Sequence, residues 1–514
     1  MNTSSVMNLD DWFENKIKLI CDPYFDREFF TNLIFCIDRK KTLREIFEAS
    51  LREVDQTGEY TEDVDRCLLH FFYAYQAAHY LRENYQHLAL AQGLYTMALF
   101  RSDGKYPLEL KLGGRIGSQA ATVEEFRKSI RLEVRRVSSF DAAWASLLFL
   151  MENRSTRAQC LEVLIETCIR EGNLLTTELL LKSIDLSFST AWKKTEFIMK
   201  RAFECFWEGG LETDTPDYYS KALGLLKSRE NMELKFSGGK EWKEEWAEEL
   251  WHRMTKESVE SAWEWIAQIC SEGATYDQLV CALHLARGRA LFTMRASQWP
   301  IVTESLLYAS ALEAAGRWVP SKCLFYIALS LCEFIHSCQL VQSQIPGRPD
   351  GSKLPEGFSK NISKNQLVLR LDDATERGDH PHALELIALL VRERSLSHHV
   401  SDRLVLMASK QDGWTYKQMS IPTAFILAGA YEDAVRLKLS SSLCFDALYG
   451  LLRFLSDQRQ EAVEDVKRTG NYGDGGLYHS PFDVSSGARI VHRYVFNQMR
   501  NAQRIFIWPT EGKG

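Results

Sequence analysis

Hydrophobic residues along this chain recur mostly every three or four positions, the spacing that places them on one face of an α-helix. The pattern is clearest at 383–409, where two apolar blocks flank a polar break at 392–397. Such an arrangement predicts two antiparallel helices packed as a hairpin. The segments 143–169 and 262–288 show the same pattern. No segment shows the strand alternation and glycine loop of a nucleotide-binding α/β fold, so we predict an all-α protein.

The three helix-pair segments are evenly spaced. They begin at Ala143, Ala262 and Ala383, about 120 residues apart. Pro300 and Pro422, each predicted to open a further apolar helix, are separated by a similar interval. We therefore predict stacked antiparallel helix pairs in an α-solenoid-like array with roughly 120-residue repeating units, in which each layer covers its neighbour's core.

Glycine- and proline-rich breaks divide the predicted helices into blocks. The clearest linker is 343–363, which is rich in Pro, Gly and Ser. The predicted domains are an N-terminal helical block at 1–118, three helical units at 119–236, 237–343 and 364–468, and a loop with a C-terminal helix at 469–514.

Composition indicates a globular protein in the cytoplasm. The 514 residues are 45% hydrophobic and 25% charged, and the net charge of −7 disfavours nucleic acid as a partner. The N-terminus lacks the pattern of a secretory signal, and no apolar run is long enough to span a membrane. The twelve cysteines include no C-x-x-C pair, which favours reduced, buried thiols over disulfides or zinc.

Function has to be inferred without a catalytic motif. The phosphate-binding G-x-x-x-x-G-K-[ST], the nucleophile G-x-S-x-G and the zinc-binding H-E-x-x-H patterns are all absent. We therefore expect a helical-repeat scaffold or adaptor that binds other proteins through its solenoid surface and needs no cofactor. The alternative is an all-α metal-dependent oxidase with a di-metal carboxylate site between helices.

Two Glu-x-x-His pairs motivate the oxidase alternative. Spacing of three places carboxylate and imidazole on one helix face, as in ferritin-like di-iron proteins, where iron or manganese would be the cofactor. The candidate ligands are Glu249, His252, Glu304, Glu333 and His336. In the competing interpretation these residues form solvent-facing edges: His252 points into water, and Glu333 and His336 line the exposed side of an otherwise buried helix.

A second acidic and histidine-rich stretch lies at 372–382, with His398 and His399 beyond the next predicted helix. Metal ligands cluster in this way. The competing interpretation has Asp379 as a helix N-cap, Pro381 in the first helical turn and the histidines exposed.

Arginine stripes suggest surfaces for an acidic partner or for phosphates. Arg127, Arg131 and Arg135 follow helical spacing, with glutamates nearby. A second stripe, in the predicted terminal helix, has no acidic residue within it and is the better candidate for partner binding. It consists of Arg489, Arg493, Arg500 and Arg504.

The segment Gly429–Val435 resembles the G-x-Y-E-x-A phrase of helical repeats in vesicle-coat, vacuolar-sorting and tetratricopeptide proteins. The resemblance implies that Gly429 closes one helix, that Tyr431 packs in the turn, and that Ala434 lets the next helix approach closely.

Overall fold

The computed structural model describes residues 41–55, 62–81, 86–100, 122–136, 139–189, 195–208, 217–229, 242–340, 363–377, 379–392, 397–409, 420–439 and 442–455. It also describes the isolated positions 13, 16, 17, 36, 192, 232, 234–236 and 238. These residues form 19 α-helices and, within the described ranges, no β-strand. The all-α prediction is confirmed.

The helices belong to two compact units. The first contains Leu43–Asp55 (α1), Glu62–Tyr80 (α2) and Gln86–Phe100 (α3). The second begins with Val123–Ser129 (α4), Phe140–Glu152 (α5), Arg154–Glu171 (α6), Leu174–Ser189 (α7), Thr195–Glu208 (α8) and Tyr218–Lys227 (α9). It continues with Glu244–Lys256 (α10), Val259–Glu272 (α11), Tyr276–Thr293 (α12), Trp299–Trp318 (α13) and Cys323–Leu340 (α14). It ends with Lys364–Arg377 (α15), His380–Arg392 (α16), Ser397–Ser409 (α17), Ser420–Arg436 (α18) and 442–455 (α19).

An aromatic cluster holds the first unit together. The Phe47 ring of α1 stacks on Tyr75 of α2 with centroids 4.0 Å apart, and it also contacts Phe71 at 4.9 Å. At the start of α1, Thr42 and Glu45 cap each other: the Glu45 N–H donates to Thr42 Oγ1, and the Thr42 N–H donates to Glu45 Oε2. The reciprocal pair satisfies two N–H groups that the helix itself cannot bond.

Helix α12 lies at the centre of the second unit. Every one of its residues except Asp277 is buried, including the polar or charged Gln278, His284, Arg287 and Arg289. It packs against α10, α13, α14 and α18. Helix α13 in turn packs against α7 and α14, and α14 against α9, α10 and α11. Side chains of α12 therefore reach several neighbouring helices at once.

Glycines allow α12 and α19 to cross closely. A Cβ added at Gly450 would lie 2.1 Å from the Gly288 carbonyl oxygen, and one added at Gly288 would lie 2.8 Å from Ala447 Cβ. Real Cβ atoms do not approach backbone atoms so closely. The crossing therefore requires glycine at position 450.

Each of the three evenly spaced segments forms two consecutive helices: α5 and α6, α11 and α12, and α16 and α17. Residues at the junction explain why α11 ends and α12 begins between 272 and 276. Gly273 ends α11 with a φ of 110°, which glycine adopts without strain. Thr275 and Gln278 then form a capping box that starts α12. Helices that begin near Pro300 and Pro422 are also present. The 120-residue repeat and the block boundaries stay predictions, and the 343–363 linker and the 469–514 tail lie outside the described residues.

Two local expectations are wrong. Arg127, Arg131 and Arg135 do not share a helix, because α4 ends at Ser129 and a 3₁₀ turn follows at Leu132–Val134. The Arg135 side chain is instead buried. Gly429 does not close a helix either, because the whole segment Gly429–Val435 lies within α18.

The sequence also predicts that no segment spans a membrane and that the cysteines are reduced and buried. None of the described helices has both the length and the apolar character required to cross a membrane. The described cysteines are free thiols, and all but Cys338 are buried. Burial raises the pKa of Cys160 and Cys168 to about 12, which keeps these thiols protonated and unreactive at neutral pH.

Candidate functional site

A network of buried charged and polar side chains is centred on Arg287, in the middle of α12. Its side chain is 0% exposed, and that of Glu333 on α14 is 2% exposed. Two opposite charges buried together need hydrogen bonds as well as each other, because removal from water costs several kcal/mol for each ion.

Serine hydroxyls complete this network. Arg287 Nε donates to Ser305 Oγ on α13 at 2.9 Å, and Nη2 donates to the Ser330 carbonyl at 2.7 Å and to Glu333 Oε2 at 3.3 Å. Ser305 and Ser337 donate to the two Glu333 oxygens at 2.5 and 2.6 Å. Both carboxylate oxygens are therefore bound by this chain's own donors, and the network joins α12, α13 and α14. Burial lowers the pKa of Arg287, while the adjacent Glu333 opposes that shift.

A small cavity lies beside this network, lined in part by Tyr276, His284, Glu313, Tyr326 and Ser330. It measures about 10 Å³, roughly the space that one water molecule needs. His284 Nδ1 lies 3.7 Å from Glu313 Oε2. His284 Nε2 is buried and has no hydrogen-bond partner among the described protein atoms. A space of this size suits a water molecule and is too small for an organic substrate.

The pKa values of His284 and Glu313 both depart from those of the free side chains. Burial raises the pKa of Glu313 to about 7, against the lowering effect of the Arg317 guanidinium. Burial, with a contribution from the positive charge of Arg287, lowers the pKa of His284 to about 3. At neutral pH the imidazole is therefore neutral, and the carboxyl group is partly protonated. Glu313 therefore titrates near physiological pH and affects stability there.

A second buried arginine of α12, Arg289, joins that helix to two more, α10 and α19. Its Nε lies 3.2 Å from Asp446 Oδ2 on α19, and its Nη1 lies 3.0 Å from Glu248 on α10. The guanidinium also covers the Trp251 ring at 5.0 Å. Arg135, which follows α4, also contacts a distant helix: it donates to the Phe206 carbonyl of α8 at 2.7 Å. Sequence reasoning missed Arg287 and Arg289, although two arginines within the apolar stretch of α12 are a signal that both need buried partners.

The residues predicted to bind metal are distributed over three helices. Glu249 and His252 are on α10, Glu304 is on α13, and Glu333 and His336 are on α14. Among the described residues, no three His, Cys, Asp or Glu side chains are grouped so as to hold a metal ion. The structure thus does not bring the five candidates together.

The residues of the two Glu-x-x-His pairs contact other side chains instead of a common site. Arg253 lies 2.7 Å from the Glu249 carboxylate, and His252 is 59% exposed, as the solvent-facing interpretation expects. His336 packs edge-on against Tyr218, with ring centroids 5.8 Å apart. For Glu333 the solvent-facing interpretation is wrong, because this residue is buried and bound to Arg287.

The other predicted sites have simpler explanations or lie outside the described residues. Asp379 precedes α16 and accepts a hydrogen bond from the His382 N–H at 3.3 Å, so the N-cap interpretation is confirmed. His398 Nδ1 lies 2.8 Å from Glu432. The predicted partner-binding stripe lies outside the described residues: Arg489, Arg493, Arg500 and Arg504.

Comparison with known proteins places the chain in no family: no family model, no curated protein and no solved structure matches it.

Proposed function

We propose that this chain is a cytoplasmic helical scaffold or adaptor that binds other proteins through its helical surface. In this proposal the segments that begin near Ala143, Ala262 and Ala383 are corresponding layers of an α-solenoid. Their equal spacing and the two consecutive helices that each forms support that correspondence.

The observation that carries the proposal is the way the buried charges are used. Arg287 and the two serines occupy both oxygens of Glu333. Arg289 is similarly engaged by Asp446 and Glu248. These charged side chains join helices to one another, as expected when the interior serves to fix a shape and recognition takes place outside.

The partners in this proposal are proteins. The net charge of −7 opposes general attraction to nucleic acid. The terminal stripe that includes Arg493 and Arg500 is one candidate contact for an acidic partner.

Affinity purification of the tagged chain from its native cells, followed by identification of the recovered proteins and reconstitution from purified components, tests the function. We expect at least one protein to form a stoichiometric complex with the chain after reconstitution. Failure of every recovered protein to bind the purified chain would contradict the proposal.

The oxidase stays the alternative proposal. Its five candidate ligands do not lie together, so their positions do not favour it. Elemental analysis of the purified protein distinguishes the two functions. Stoichiometric iron or manganese that is lost in a Glu249→Gln or His252→Ala variant would favour the oxidase.

A further inference from the structure

Two aromatic side chains and two arginines meet at one end of the α6–α7 pair. Phe188, in the last turn of α7, is 57% exposed. Its ring lies edge-on to Trp192, with centroids 6.1 Å apart. Arg154 and Arg157 lie in the first turns of α6. We call Arg154, Arg157, Phe188 and Trp192 the aromatic–arginine patch.

The backbone at Trp192 is held in an unfavourable conformation. Its φ of 64° is in the left-handed region, which residues with a bulky side chain rarely adopt. The Trp192 N–H donates to the Ser187 carbonyl at 2.8 Å, which fixes the residue just past the end of α7. Strained residues of this kind concentrate at functional sites, where the position of the side chain matters.

Main-chain acceptors hold the guanidinium of Arg157 over the indole. Its Nε donates to the Met151 carbonyl at 2.6 Å, and its Cζ lies 5.0 Å from the centre of the Trp192 ring. Burial, and then the positive charge of Arg154, lower the pKa of Arg157. Among the described residues, neither Arg154 nor Arg157 has a carboxylate within ion-pairing distance.

We propose that the aromatic–arginine patch binds an acidic segment of a partner protein that carries one or two large apolar side chains. This proposal rests on the scaffold function and names one surface that performs it. The arginines supply positive charge that no described carboxylate neutralises, so acidic residues of the segment complement them. Phe188 supplies an exposed apolar contact and Trp192 a half-buried one beside it. Aromatic residues and arginine are the side chains that dominate binding energy at protein interfaces.

The probes are short fluorescein-labelled peptides in which Leu-Leu, Leu-Phe or Trp-Leu is flanked by Asp and Glu. A peptide with Ser in place of the apolar pair, and a labelled oligouridine, complete the set. Fluorescence anisotropy with the full chain measures affinity at low and at physiological salt. We expect at least one acidic–apolar peptide to bind with micromolar affinity, more weakly as salt increases, and the serine peptide to bind at least about tenfold more weakly.

Two substitutions in the patch test the assignment without disturbing the fold. Trp192→Gly suits the left-handed backbone, so it removes the ring while the chain stays folded. Arg154→Glu reverses an exposed charge. We expect Trp192→Gly to weaken binding about tenfold or more and Arg154→Glu to weaken it about fivefold, with the second effect largest at low salt.

Matched controls lie elsewhere on the second unit. Leu369→Ser removes another exposed large apolar side chain, 58% exposed on α15. Arg127→Glu reverses an exposed arginine on α4. Neither substitution should change peptide affinity.

The outcomes separate this inference from the scaffold function. Loss of peptide binding in the patch variants but not in the controls supports the patch. Equal binding by all variants, tighter binding of oligouridine, or no peptide binding overturns the patch. The scaffold function can still hold in any of those cases. It holds if a partner protein forms the same complex with the Trp192→Gly chain as with the natural chain.

Discussion

Arg287 and Glu333 lie 46 positions apart in the sequence, yet the arginine Nη2 and the glutamate Oε2 are 3.3 Å apart in the interior. Neither side chain reaches more than 2% exposure. The pair thus links the central helix α12 to α14, and Ser305 adds α13 to the same network.

Removal of one member of this pair should destabilise the protein strongly. Arg287→Met leaves the Glu333 charge buried without its cation, which costs about 3–5 kcal/mol of unfolding free energy. Combining Arg287→Met with Glu333→Leu removes both charges, so we expect the double variant to lose less than the sum of the two single variants. Urea unfolding of all four proteins measures this coupling.

The surface pair Arg253–Glu249 is the matched control. Its guanidinium and carboxylate lie 2.7 Å apart, but both groups are partly exposed. Arg253→Met should therefore cost no more than about 1 kcal/mol. Equal costs for Arg253→Met and Arg287→Met would mean that burial does not determine the strength of these pairs.

The crossing of α12 and α19 depends on the absence of a side chain at position 450. Gly450→Ala places a Cβ 2.1 Å from the Gly288 carbonyl oxygen. We expect the helices to be forced apart, with a loss of about 1–3 kcal/mol in unfolding free energy.

Gly429→Ala is the control for that substitution. Gly429 is also within a helix, but an added Cβ there meets no atom within 4 Å. This variant should be more stable by roughly 0.5–1 kcal/mol, because alanine favours the helix. Similar melting temperatures for the two variants would contradict the close crossing.

Stability should vary with pH through Glu313. The pKa of its carboxyl group is about 7 in the folded protein and 4.5 in the reference state. Between these values the folded chain binds more protons than the unfolded chain, so its stabilising contribution is complete below pH 4.5 and is lost as the pH rises through 7. The loss is on the order of 3 kcal/mol.

Glu313→Gln removes this titration and so isolates it from the opposing effect of His284. The natural chain should lose stability relative to the variant between acidic and mildly alkaline pH, as measured by urea unfolding over a pH series. If the two stability curves run parallel, Glu313 has an ordinary pKa and its carboxyl group is hydrated.

Much of the fold could be predicted from the sequence because helices are encoded locally. The apolar spacing at 262–288 identified α11 and α12, and Gly273 and Thr275 mark the break between them. The partners of buried charges are not encoded in this way. The spacing of Glu333 and His336 predicts a metal site, but the actual partner of Glu333 is Arg287, on a helix whose position depends on packing of the whole unit.

The stripe that ends at Arg135 shows the same limit. Its helical spacing from Arg127 assumed one continuous helix, whereas α4 ends at Ser129. Past that end, Arg135 turns inward and bonds to Glu171 at 2.8 Å and to the Phe206 carbonyl. Periodicity alone gave no sign of the early helix end, because that end depends on acceptors supplied by distant helices.

In the proposed function, the buried charges fix a shape and the surface binds the partners. Quantitative comparison of the proteins that co-purify with the natural chain and with the folded Arg287→Met/Glu333→Leu variant separates these two roles. We predict the same partners in the same amounts once the variant is shown to be folded at the temperature used. Loss of partners from a folded variant with an unchanged circular dichroism spectrum would contradict the claim, because the interior pair would then act in recognition itself.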